Sequence, residues 1–172
     1  SLAPVIPTTK AGFTRSIQRA PLGVVFDLPA WNFPYLTAVN AMIPALMAGN
    51  AVVLKHATQT ALCADRLADA ARAAGLPEGL FATLDLTYAD TEAFVRSGAV
   101  DFVCFTGSVF GGQAIERAAT ESQRFLGVGL ELGGKDPAYV RADADLGFVV
   151  ENVVDGAMFN SGQSCCGIER VY

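Results

Sequence analysis

The stretch Phe159-Asn160-Ser161-Gly162-Gln163-Ser164-Cys165-Cys166 places a thiol in a loop of small and polar residues. A free cysteine has a pKa near ~8.5, so a minor fraction is already thiolate at neutral pH, and thiolate is the attacking form. Attack on a carbonyl carbon creates an oxyanion that needs hydrogen-bond donors. Asn32, between Trp31 and Phe33, carries a side-chain amide able to donate. Glu131 stands alone in the apolar run Leu130-Glu131-Leu132-Gly133-Gly134. Partial desolvation there would raise its pKa toward that of a useful general base. The expectation is that Asn32, Glu131 and Cys165 converge on one carbonyl. Plainer readings stand beside it: Cys165 as a small buried hydrophobe, Asn32 as a turn residue before Pro34, Glu131 as a solvated carboxylate, Cys166 as passive packing.

Something must bring these distant positions together. Short apolar runs at 23–26, 51–54, 80–86, 100–105 and 125–132 read as strands. Helical patterns fall between them at about 35–48, 60–74, 89–95 and 109–119. Such alternation predicts an α/β fold with a doubly wound, mostly parallel, Rossmann-like sheet of about five strands. Sheets of this kind bind ligands beyond the carboxyl ends of their strands, and Asn32, Lys55, Ser108 and Glu131 each follow or end a strand. After Gly133-Gly134 a short strand at 137–140 precedes a helix. Asp143 and Asp145 can cap it, and its apolar stripe is Leu146, Val149, Val150, Val153, Val154 and Ala157. The expected units are an arm over 1–20, a dinucleotide-binding domain over 21–133, and the start of a second α/β domain over 134–172.

Composition narrows the class. Of 172 residues, 52% are hydrophobic and 17% charged, which is enough to build a buried sheet. A net charge of -5 without a basic run argues against a nucleic-acid partner. The uncharged stretch 28–54 is interrupted by Pro29, Pro34 and Pro44, so it reads as a buried strand-helix unit and not a membrane span. The four cysteines include no C-x-x-C pair and His56 is the only histidine, so no metal site is expected and the thiols read as reduced and cytoplasmic. No secretory leader pattern opens the chain. It begins at Ser1 and stops at Tyr172 in a pattern that reads as a strand being entered, and is taken as a piece of a longer protein.

Ala30-Trp31-Asn32-Phe33-Pro34, Lys55, Phe105-Thr106-Gly107-Ser108, Leu130-Glu131-Leu132-Gly133-Gly134-Lys135 and Gly162-Gln163-Ser164-Cys165 together resemble the NAD(P)-dependent aldehyde dehydrogenase superfamily. The resemblance runs from Pro21 onward and implies oxidation of an aldehyde to a carboxylate through thiohemiacetal and thioester intermediates on Cys165. It casts Glu131 as general base and Asn32 as oxyanion donor. It implies a cofactor site of Trp31, Lys55, Thr58, Phe105, Gly107, Ser108, Gly112 and Leu132. The substrate pocket would hold Phe33, Thr37, Asn40, Ser164 and Cys166. Residues 1–20 resemble an arm exchanged between subunits, which implies a homo-oligomer.

The sequence departs from the family pattern at Thr58, where NAD-preferring members commonly have glutamate. A threonine does not repel a 2′-phosphate and can donate to it, so acceptance of NADP as well as NAD is expected. Thr58 as a cap of the next helix is compatible with that role. Lys55-His56-Ala57 leans toward the succinate-semialdehyde branch and a semialdehyde substrate. Two other functions stay open. One is a cysteine hydrolase or transferase with His56 as base, against which His56 shows no evident orienting partner. The other is a nucleotide-binding module without turnover of its own.

Overall fold

Apolar segments form the five strands, and every pairing among them is parallel. The computed structural model describes residues 2–172. At the centre lies β1 (Val24–Leu28), flanked by β2 (Ala51–Leu54) and β4 (Phe102–Gly107). The edges are β3 (Phe81–Thr83) beside β2 and β5 (Gly127–Leu132) beside β4. Strand side chains alternate between faces. Val25, Val52 and Leu54 therefore pack on α1 (Pro34–Met47) and α2 (Leu62–Ala73) through Ala38, Met42, Ala64 and Leu67. Phe26, Leu28 and Val103 pack on the other side against α3 (Tyr88–Arg96) and α4 (Val109–Thr120) through Val95, Ile115, Ala118 and Ala119. Phe26 meets Phe94 edge-on, with centroids 4.9 Å apart.

The chain steps outward from β1 to β3, then returns to place β4 on the opposite flank of β1. The connections after β1 and β4 thus diverge, opening a crevice at their carboxyl ends. The opposite end of β1 is tied down. Asn50 is buried, and its Oδ1 accepts from the Leu22 and Gly23 N–H groups while its amide donates to the Ala45 carbonyl. Asp101 accepts from the Val24 N–H at 2.8 Å and pairs with Arg124. The Val24 amide, then Arg124, holds the Asp101 carboxyl below its usual pKa. Gly23 has φ 126°, and a Cβ there would lie 2.1 Å from an Asp101 oxygen, so no side chain fits.

Three local expectations are corrected. The third strand covers 81–83 rather than 80–86, because its register with the four-residue β2 ends at Leu54↔Thr83. The second helix starts at Leu62, since Thr58–Thr60 form a separate 3₁₀ turn. Asp145 alone caps α5 (Leu146–Met158), accepting from the Gly147 and Phe148 N–H groups, while Asp143 pairs with Arg141.

Beyond Leu132, β6 (Asp136–Ala138) and β7 (Ile168–Val171) form a two-stranded parallel sheet, with α5 as the crossover. The apolar stripe of α5 is only partly covered: Val149, Val153 and Ala157 are half-buried, whereas Leu146, Val150 and Val154 are exposed. In the N-terminal arm, whose first residue lies outside the described ones, antiparallel bridges join Val5 to Ile17 and Lys10 to Phe13. Among the described residues, no helix is long and apolar enough to cross a membrane.

Candidate active site

An open cleft of about 810 Å³ lies at the carboxyl ends of the strands, and Asn32, Lys55, Thr58, Ser108, Glu131 and Cys165 all line it. Trp31, Phe105, Gly107 and Ser164 share its wall. Six other residues singled out in the sequence do not line it. Phe33 stacks on Phe159 with centroids 6.2 Å apart. The Thr37 hydroxyl bonds the Ala30 and Phe33 carbonyls, both at 3.0 Å. Asn40 is exposed elsewhere on α1, and Cys166 is exposed beside the cleft. Gly112 is buried where a Cβ would come within 2.8 Å of Leu132, so these two serve helix-sheet packing.

The turn after β1 and the loop after α5 grip each other. Asn32 Nδ2 donates to the Gln163 carbonyl at 2.8 Å, and Asn160 Nδ2 donates to the Asn32 carbonyl at 3.1 Å. An amide nitrogen has two N–H bonds, so one of Asn32's remains available to a ligand. Asn160 and Ser161 both take left-handed backbone angles, with φ 50° and 58°, and Gly162 follows at 74°. This coil turns the chain back from α5 so that Cys165 reaches the cleft. Asn160 and Gln163 were not singled out as working residues, although both lie inside the quoted cysteine motif.

Cys165 is exposed, not a buried hydrophobe. Partial burial of its sulfur, followed by the neighbouring Cys166 thiol, pushes its pKa up; the N–H groups of Cys165 and Cys166 act in the opposite direction. Cys166 is also exposed, which removes the passive-packing reading; its sulfur lies 3.5 Å from Ser164 Oγ. Glu131 lines the cleft but is exposed, so the expected desolvation is not provided by the described residues.

His56 has the orienting partners that the sequence did not reveal. It is buried, with Nε2 2.9 Å from the Pro34 carbonyl and Nδ1 2.9 Å from Thr60 Oγ1. A carbonyl only accepts, so Nε2 donates; in the neutral ring Nδ1 then accepts from Thr60. Both nitrogens are engaged away from the cleft, whose lining does not include His56. A base role toward Cys165 is therefore excluded in this arrangement.

The other end of the cleft suits a dinucleotide. The twelve-residue α4 opens there with no acidic residue in its first turn. Ser108 caps it by accepting from the Gly111 N–H at 3.1 Å, which leaves the hydroxyl proton free to donate. A Cβ on Gly111 would lie 2.7 Å from the Phe105 ring, so a larger residue would displace the ring beneath this turn. Lys55 is buried, with Nζ 5.4 Å from the Tyr88 ring centre. Desolvation lowers its pKa, with Asp85 opposing. Among the described residues no salt bridge holds its ammonium. Thr58 and Gln59 are exposed on the same rim; the alternative reading of Thr58 as a helix cap is not met, because neither the 3₁₀ turn nor α2 has a side-chain cap. Tyr88 and Glu92 from α3 and Phe110 from the first turn of α4 complete this end and were missed; only Phe110 lies close enough to a strand end, three residues after Gly107, to have been marked by position.

The fold is a parallel doubly wound sheet with a cysteine loop lying at the carboxyl ends of its strands. The chain matches the Aldehyde dehydrogenase family over residues 2–172, and it belongs to that family. It is 41% identical to succinate-semialdehyde dehydrogenase [NADP(+)] 1 of Mycobacterium tuberculosis, over 87% of this chain and 32% of the relative. It is 44% identical to phenylacetaldehyde dehydrogenase of Pseudomonas fluorescens, over 91% of this chain and 31% of the relative. Succinic semialdehyde dehydrogenase from Streptococcus pyogenes, solved in complex with NADP+, superposes with a TM-score of 0.91 at 28% identity, over 99% of this chain and 37% of that one. The chain thus spans about a third of the length of the curated relatives it matches.

Proposed function

We propose that this chain is the nucleotide-binding and nucleophile-bearing part of an enzyme that oxidises an aldehyde to a carboxylate with NAD(P)+. The observation that carries the reading is the single cleft lined by Asn32, Glu131, Cys165, Lys55 and Ser108. In it the Cys165 thiolate attacks the aldehyde carbon. The oxyanion accepts from the second N–H of Asn32 and from the Cys165 backbone N–H, each such donor being worth ~3–4 kcal/mol. The cofactor, when bound, supplies the acceptor for the two electrons that leave with the hydride. Cys165 then holds the oxidised carbon as a thioester. Glu131 takes a proton from the water that attacks this thioester, and Cys165 departs as thiolate. Lys55 and Thr58 hold the nucleotide's ribose end, and the Ser108 turn its pyrophosphate.

The absence of a carboxylate at Thr58 and Gln59 supports acceptance of NADP as well as NAD. A semialdehyde is the substrate class supported by Lys55-His56-Ala57 and by the mycobacterial relative. In this reading the arm over 1–20 serves a homo-oligomer, 21–133 forms the dinucleotide-binding domain, 134–172 begins the catalytic domain that carries the cysteine loop, and the enzyme works in the cytoplasm. The chain alone carries a reactive thiol but turns over little, since it spans about a third of its relatives. The test is a panel of aldehydes with both cofactors on a protein of the relatives' length that contains this chain. In it, Cys165→Ala abolishes oxidation and Glu131→Gln accumulates a covalent acyl adduct visible by mass. Undiminished turnover in Cys165→Ala refutes the reading.

A further inference from the structure

We infer that His56 is a positioning residue: its imidazole clasps the segment that carries Lys55 and Thr58 to the turn that carries Asn32, and so places the oxyanion donor relative to the cofactor end of the cleft. The ring is 3% exposed, with Nε2 2.9 Å from the Pro34 carbonyl and Nδ1 2.9 Å from Thr60 Oγ1. Lys55 precedes it in the chain and is itself held by the sheet, its N–H donating to the Asp27 carbonyl at 3.0 Å. Pro34 opens α1 two residues after Asn32, and Phe33 gives that helix start no side-chain cap. Among the described residues, no other hydrogen bond joins 55–60 to the turn over 29–34. The turn is thus held at Pro34 by His56 and at Asn32 by the cysteine loop.

The clasp depends on one tautomer. A carbonyl only accepts, so Nε2 carries the proton that reaches Pro34. Thr60 Oγ1 has two acceptors within reach, His56 Nδ1 at 2.9 Å and the Ala57 carbonyl at 3.4 Å. The nearer one takes the hydroxyl proton, which keeps Nδ1 bare and the ring proton on Nε2. Without the Nε2 donor the Pro34 end of the turn is free to shift, and Asn32 shifts with it. A displacement of about 1 Å at a reacting group can cost ~10²-fold in rate. The use of Asn32 as oxyanion donor rests on the function proposed above, whereas the clasp itself does not.

His56 is the one histidine among the 172 residues, so imidazole proton–nitrogen correlation spectra of the chain report its ring alone. The expected signature is a slowly exchanging proton on Nε2 and none on Nδ1. Two variants separate the ring's two bonds: the amide nitrogen of His56→Gln matches Nε2, whereas His56→Asn reaches only as far as Nδ1. In a protein of the relatives' length, His56→Asn is expected to lower kcat per NADP+-binding site about ten- to a hundred-fold with Kd for NADP+ unchanged, and His56→Gln to restore most of it. Hydrogen exchange over 30–37 in the 172-residue chain should be faster in His56→Asn than in His56→Gln. A ring proton on Nδ1, an undiminished kcat in His56→Asn, or equal losses in both variants overturns the inference. Should His56→Asn fail to fold, His56→Gln decides: near-wild-type turnover supports the clasp, and collapsed turnover with NADP+ still bound overturns it. A wild-type protein that oxidises no aldehyde would instead remove the role given to Asn32, and the ring signature and exchange rates would decide the clasp alone.

Discussion

The Asn32 side-chain amide donates to the main-chain carbonyl of Gln163, two residues before the thiol of Cys165. One side chain thus fixes the position of the nucleophile loop and keeps a second N–H for an oxyanion. Replacing Asn32 by alanine removes both. In a protein of the relatives' length, kcat is expected to fall by about 10²–10³-fold, the usual effect of losing one oxyanion donor. Hydrogen exchange over 160–166 in the 172-residue chain is expected to speed up as well. Slower turnover with unchanged exchange would assign Asn32 to the oxyanion only.

Cys165 should alkylate with a pH profile displaced upward from that of an ordinary thiol, because burial and then the Cys166 thiol disfavour its anion. Cys166→Ala removes the second cause, so the midpoint of iodoacetamide labelling at Cys165 moves down while burial still holds it up. A midpoint that does not move, followed by mass spectrometry of the labelled peptide, refutes the coupling.

Asp27 in β1 is 2% exposed, its Oδ2 has no hydrogen-bond partner, and burial raises its pKa to about 8. It also helps raise the thiol of its cross-strand neighbour Cys104, which burial chiefly pushes to about 11. The folded chain keeps a proton on Asp27 that the unfolded chain releases near the ordinary aspartate value of 3.8. Stability therefore falls as pH rises between those two values, by roughly 1.4 kcal/mol per pH unit in the middle of the window. Urea melts at pH about 5 and about 7 should show this slope in the wild type, and Asp27→Asn should lose it. Equal slopes in the two proteins would mean that Asp27 stays ionised when folded.

Thr58→Glu places a carboxylate on the rim that carries Lys55. A second negative charge beside a 2′-phosphate costs on the order of 1–2 kcal/mol near a surface, so NADP should bind about tenfold or more weaker while NAD is spared. Titration calorimetry with each cofactor on a protein of the relatives' length checks this, and equal losses for both argue against a 2′-phosphate at Thr58.

The strands were legible because parallel sheets buried on both faces leave uninterrupted apolar runs, as in Val24-Val25-Phe26 and Ala51-Val52-Val53-Leu54. The cleft was legible because Asn32, Lys55, Ser108 and Glu131 sit where such a sheet leaves its binding edge. What stayed hidden depends on contacts distant in sequence. Nothing local announces that His56 bonds Pro34, that Asn160 reaches Asn32, or that Gly112 is reserved by Leu132. The end of β3 and the start of α2 were set by tertiary register and a 3₁₀ turn rather than by propensity. Glu131's exposure likewise depends on what stands over it, which no residue near it in sequence records.

The left-handed angles at Asn160 and Ser161 cost these non-glycine residues ~1–2 kcal/mol each relative to ordinary backbone. The segment behaves as a wound spring whose catch is Asn32. Without that catch the coil is expected to relax toward ordinary backbone angles, and a changed rate of Cys165 labelling in Asn32→Ala would report it.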